Sequence, residues 1–270
     1  MAIASLSQNQ QPSLVAPDAH ASVQVYDMQQ LPWKATTNSG LWTKPLREDR
    51  ERGLFLGLVK FAAFTRSGLH QHQGVATSFV IAGGLSDYHG SIGLHEAGIN
   101  QRGSTHDAIA YQDTVLVSRL EGPVTYPVGS DISGVHTGSR YADFVNPNPE
   151  IAPEINVPLD DLSSVDTGVA GVKRQTIFDY QGTGSHHRMC QLSLRPQTSF
   201  SFETSALTEF WVRGGELLIN DQIAHANCFV LCAADTKLRI ESPFGALLIV
   251  WAEGPEKAQT QSNPSQLFGF

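Results

Sequence analysis

The chain has 270 residues, 41% of them hydrophobic and only 16% charged, with 24 glycines and 14 prolines. This length suffices for one large domain or two of ordinary size, and the turn-rich composition suits an all-β protein better than a helical one. The net charge of -8 comes without a basic patch, which excludes nucleic acid and acidic membrane surfaces as partners.

Residues 1–22, "MAIASLSQNQQPSLVAPDAHAS", have no basic start and no long apolar stretch. They read as a flexible polar tail that carries His20, and not as a secretory signal. No apolar run anywhere is long enough to span a bilayer, so a soluble, cytoplasmic protein is expected. The odd set Cys190, Cys228 and Cys232 fits a reducing compartment, with Cys228 and Cys232 as core thiols flanking "FVL". From Val23 onward the chain alternates short apolar runs with Gly, Pro, Asn and Asp. "VQVYDM", "GLFLGLVKFAAF", "TSFVIAGGL", "TVLVSRL", "RMCQLSLR", "FSFE", "EFWVRGGELLIN", "NCFVLCA", "KLRIE" and "ALLIVWAE" all read as strands of a sandwich or barrel. "PLREDRERG" is the best candidate for a helix or charged turn.

Residues 139–170 are rich in proline and acids and lack periodicity, so they read as a linker. This divides the chain into a domain at 23–138, a second at 171–256 and a C-terminal tail at 257–270. An internal repeat supports the division: "TSFVIAGGL" from Thr77 aligns with "TEFWVRGGEL" from Thr208. At that offset His70 falls on Ser201 and His72 on Glu203, so the second copy keeps the strand pattern and lacks the histidines.

That asymmetry points to chemistry at "SGLHQHQG". On a strand, residues i and i+2 face the same way, about 6.5–7 Å apart, so His70 and His72 can converge on one ion. Gly103, three residues before His106 in "QRGSTHDA", allows a tight turn that would bring in a third imidazole from a neighbouring strand. His95 and Glu96 in "GLHEAG" are candidates for a fourth ligand. His89, His136, His186, His187 and His225 read as turn, loop or structural residues. Trp211 and Trp251 read as core, and Arg119 and Ser78 as candidates for contacting substrate. No serine-hydrolase elbow, phosphate-binding loop, dinucleotide fingerprint or C-x-x-C pair is present.

"GLHQHQGVATSFVIAGG" followed by "GSTH" resembles the cupin superfamily, most closely the anti-sigma-factor (ChrR-like) cupins and bicupins built on them. The resemblance covers roughly residues 25–125, with 175–255 as a degenerate second cupin. It implies two jelly-roll barrels (double-stranded β-helices), with the metal in the first and a dimer-forming second. The glutamate usual after H-x-H is missing, since Ala76, Thr77 and Ser78 occupy that stretch. In this the site is similar to three-histidine dioxygenases that cleave acetylacetone or dihydroxyacetophenone. The resemblance therefore implies a divalent ion, Fe(II) foremost with Zn or Ni as alternatives, held by His70, His72 and His106. It implies O2 and a small diketone or hydroxyketone as reactants, in a homodimer. A non-catalytic zinc sensor and a metal-dependent isomerase or lyase are the alternative readings on the same scaffold.

Overall fold

A computed structural model describes residues 22–87, 90–126, 155–180, 187–257 and 267–270. Almost all regular structure among them is β, the exception being one 3-10 turn at Leu159–Asp161. Every apolar run named above falls on a strand, because short β-branched and aromatic segments between turn residues have no competing helical period. "PLREDRERG" is not a helix: its first half ends the strand Leu41–Asp49 and the rest forms the turn to Leu54–Phe61. His20, His89, His136, His186, the tail up to residue 21 and the linker segment 139–154 lie outside the described residues.

The first half forms a seven-stranded sheet in which Thr114–Glu121 lies between Ala76–Ala82 and Leu54–Phe61, with Leu41–Asp49 beyond. Two smaller sheets complete the barrel. In one, His70–His72 lies between Thr105–His106 and Val124–Thr125. The second half repeats the plan, with Ala246–Ala252 between Thr208–Ile219 and Arg188–Leu194, and Val172–Asp179 beyond. Even an irregularity repeats. The bulge between Pro45 and Arg47 has its counterpart between Thr176 and Phe178.

The strand pairings fix a structural alignment that differs by one residue from the one read in sequence. His70 pairs with His106 and His72 with Val124 in the first barrel. The corresponding pairs in the second are Phe202 with Leu238 and Thr204 with Glu256. The counterparts of His70 and His72 are thus Phe202 and Thr204, and not Ser201 and Glu203. A one-residue slip turns every side chain to the opposite face. Gly83 and Gly215, both at positive φ, mark the same correction inside the Gly-Gly pairs.

Two further strands differ from the expected domain boundaries. Val23–Asp27, at the start of the expected first domain, pairs with Cys228–Cys232 of the second barrel. Ile155–Pro158, in the expected linker, pairs with Glu96–Asn100 of the first. Each barrel therefore takes the strand that precedes the other, and the two are stitched together. The facing sheets enclose a shared core that includes Leu56, Phe79, Val117, Met189, Trp211, Phe229 and Trp251. Trp251 Nε1 donates to Thr77 Oγ1 across it at 3.0 Å. The three cysteines are buried, and burial pushes the Cys190 thiol up to about 12. The last residues also differ from a free tail, because Leu267 and Phe268 are buried, with Phe268 against Phe202 and Phe210 inside the second barrel.

Candidate metal centre

The strand carrying the H-x-H pair is placed by two glycines. Gly68, at φ 84°, turns the chain into it, and its N–H donates to Asp107 Oδ1 at 3.1 Å. Asp107 is held in turn by a buried ion pair with Arg66. Gly103, at φ 89°, makes the turn that returns the chain beside it, with Gly103 N–H donating to the His72 carbonyl at 2.7 Å. His72 N–H donates back to the Ser104 carbonyl at 2.9 Å. This close double contact draws Thr105–His106 alongside His70–His72, which is the role read for Gly103 from the sequence.

All three imidazoles are buried and their ligand atoms converge. His106 Nε2 lies 3.1 Å from His70 Nε2 and 3.1 Å from His72 Nε2. Nitrogens bound to one ion at about 2.1 Å, at angles between octahedral and tetrahedral, sit about 3.0–3.4 Å apart. Two of the tautomers are fixed from behind. His70 Nδ1–H donates to the Gly68 carbonyl at 2.6 Å, and His106 Nδ1–H donates to Asp87 Oδ2 at 3.1 Å. Both therefore turn Nε2 lone pairs toward the same point, an arrangement that repels itself unless a cation sits there. Burial, reinforced by the neighbouring His106, lowers the His70 pKa from 6.5 to about 3. Burial likewise holds His72 well below its usual value. His70 and His72 are thus neutral, as metal ligands must be. Donor chemistry, spacing and protonation state all fit a divalent ion.

The other candidates lie elsewhere. Glu96 Oε2 accepts the Gly93 N–H at 2.7 Å and closes that turn, so it does not join the three nitrogens. His95 stacks on Phe79, on the side of the shared core. Arg119 is a correction: it faces the second barrel, with Nε 2.6 Å from Glu209, Nη2 2.8 Å from Glu253 and Nη1 on Glu121. A guanidinium held by three carboxylates at the inter-barrel face is structural. His187 joins the same network through Glu121 at 2.7 Å. Ser78, one position along from Thr77, faces inward and lines a small cavity with Asp87, Asn100, Ala108 and His106.

Two participants went unread in the sequence. Asp87, in "SDYHG", orients His106, but only the folded pairing reveals this. Tyr126 places its ring 5.9 Å from that of His70 because Thr125 pairs with Gln71. No motif marks it.

Comparison with known proteins agrees with this geometry. Residues 21–125 match the model of the ChrR Cupin-like domain. No curated protein matches the sequence. Among solved structures, a putative dioxygenase from Nostoc punctiforme PCC 73102 superposes with a TM-score of 0.66 at 12% identity, over 85% of this chain and 81% of that one. A variant of the oxalate decarboxylase of Bacillus subtilis gives 0.60 at 11% identity, over 87% and 79%. The oxalate decarboxylase–formate complex of Lactobacillus farciminis gives 0.59 at 13%, over 87% and 88%. Identities this low establish the fold alone. Among the described residues, no helix is long and apolar enough to cross a membrane. Residues 21–125 are thus similar to a ChrR Cupin-like domain, and the fold of the whole is that of two cupin barrels.

Proposed function

We propose that the chain is a metal-dependent cupin oxygenase, with Fe(II) its working ion, that cleaves a small diketone or hydroxyketone-like substrate with O2. The observation that carries this reading is the donor set: three buried imidazoles converging on one centre, with no carboxylate joining them among the described residues. A bound divalent ion would supply Lewis acidity, redox capacity and open coordination positions there. Neutral ligands leave its 2+ charge uncompensated, which favours an enolate or similar chelating oxyanion over a neutral ligand.

The chain's own residues set the rest. Asp87 and the Gly68 carbonyl hold two of the rings from behind. Ser78 and Asn100 offer hydrogen bonds in the cavity beside His106. Burial raises the Tyr126 phenol above its usual value, so it stays protonated and presents a donor near His70. The likeness to a putative dioxygenase, and the Mn(II) centres of the similar Bacillus subtilis oxalate decarboxylase, are consistent with metal chemistry on this fold.

The match to the ChrR Cupin-like domain favours a second reading, a zinc-binding sensor without turnover. Metal analysis of protein purified without chelator, followed by O2 uptake with β-diketones and aryl hydroxyketones, separates the two. Iron with substrate-dependent uptake is expected. Stoichiometric zinc with no uptake after reconstitution with Fe(II) would overturn the oxygenase reading in favour of the sensor.

A further inference from the structure

We propose that the first barrel grips its substrate by an apolar body, in a cavity of about 460 Å³ whose lining includes Val124, the strand partner of His72. The substrate class is then a chelating ketone or enol bearing an aryl or branched alkyl group. This rests on the metal reading above and adds the part of the substrate that the ion does not touch.

The chamber is lined by Leu41, Phe55, Val59, Leu120 and Val124, with hydroxyls from Thr43 and Ser118. Leu41 and Val59 also pack on the cluster of Phe61, Ala110 and Leu116 inside this barrel. Strand register ties the chamber to the metal centre on two sides. Val124 lies directly opposite His72, so their side chains share a face, with Cβ atoms about 4.5–5.5 Å apart. Ser118 lies opposite Ser78, which lines the cavity at His106. The size of the chamber is within the range of small-molecule sites.

The second barrel shows why this space is open. Across three adjacent strands the first barrel carries the row Ser78, Ser118 and Gly57. The same row in the second is Phe210, Val250 and Cys190, all fully buried. Two serines and a glycine therefore stand where the repeat has a phenyl ring, a valine and a cysteine. Gly57 is held small by its surroundings, since a Cβ there would meet the Lys44 carbonyl oxygen at 2.2 Å.

The lining also selects by charge. Its charged residues, Glu48, Asp49 and Arg50, sit at the hairpin that rims the opening, and Arg50 is engaged by Glu48 at 2.9 Å. Among the described residues no cation lines the interior of the chamber. A small dicarboxylate would find no partner there for its second charge, whereas an apolar group would be desolvated against five hydrocarbon side chains.

Calorimetric titration of the metal-loaded full chain with acetylacetone and benzoylacetone tests this, because the two share a chelating head and differ by a phenyl in place of a methyl. Benzoylacetone should bind about 10- to 100-fold more tightly. In Ser118→Leu, and separately in Val59→Phe, that advantage should shrink to about threefold or less, while metal content stays unchanged. Equal affinities in the unaltered chain, or an advantage that survives both substitutions, would overturn the proposal. Failure of the metal reading looks different. If the chain retained no ion yet the phenyl advantage persisted after chelator treatment, the chamber would stand without the histidines' proposed role.

Discussion

Where the first barrel places His70, His72, His106 and Asp87, the second places Phe202, Thr204, Leu238 and Ile219. Strand order, pairing register and a bulge are shared, so the backbone does not demand the polar set. Its cost is visible in the packing. Phe202, Leu238 and Ile219 belong to an interior cluster of 22 buried residues, into which Phe268 is inserted as a plug. Among the described residues, the corresponding cluster of the first barrel has three buried members. One barrel is built for stability and the other gives up apolar burial to hold four polar groups around a centre. That is what a site grafted on a fold looks like when the ungrafted copy stands beside it.

The comparison breaks most completely at the ligands. His72→Ala should abolish stoichiometric metal binding, measured by elemental analysis after gel filtration, with the circular dichroism of a folded β protein retained. The second barrel shows that this strand pairing forms without the imidazole. Global unfolding instead would mean that the histidines serve the fold. Next in size is the filled side. Phe202→Ala removes a core ring and should cost about 3–5 kcal/mol in urea unfolding. His70→Ala, at the matching position of the hollow barrel, should cost metal-free protein less than about 2 kcal/mol.

Acid should separate the barrels as well. His70 titrates near 3 in the folded protein against 6.5 unfolded, and burial lowers His72 in the same direction. The unfolded chain therefore binds more protons between these values. The contribution of the neutral imidazoles is complete above pH 6.5 and falls progressively as the pH drops toward 3. Metal-free protein should be measurably easier to unfold at about pH 5 than at about pH 7. Installing the second barrel's residues, as His70→Phe, His72→Thr and His106→Leu together, should flatten that slope. An unchanged slope would place the acid sensitivity elsewhere.

Much of this was legible from sequence because strands announce themselves through apolar runs and turns. The H-x-H spacing with Gly103 before His106 also contains its own geometry. What was hidden depends on register. The Thr-Phe-Gly-Gly match at Thr77 and Thr208 is strong in letters, yet the fold aligns Thr77 with Glu209, both on the inter-barrel face, while Thr208 faces the other way. No string match detects a slip of one residue, although it reverses the face of every side chain. The exchange of Val23–Asp27 and Ile155–Pro158 was hidden for a related reason, since a strand's sequence states that it will pair and not with which barrel. Arg119 misled because its three carboxylate partners come from both halves of the chain.

The smallest expected effect lies behind the ligands. Asp87 meets His106 at Nδ1, the nitrogen turned away from the shared point, so it holds the His106 ring and does not join the three Nε2 atoms. In Asp87→Asn the amide oxygen still accepts the Nδ1 hydrogen, so the tautomer survives while the charge that strengthens the ligand is gone. Metal affinity, read by competition with a chromophoric chelator, should weaken about 10-fold. Asp87→Ala leaves the ring without this acceptor and should weaken it about 100-fold. The ordering matters more than either value. Equal losses would mean that the negative charge alone is at work, and no loss in either variant would show that the neighbouring strands already fix the ring. The second barrel fills this position with Ile219, which is consistent with the carboxylate being there for the imidazole and not for the hairpin that carries it.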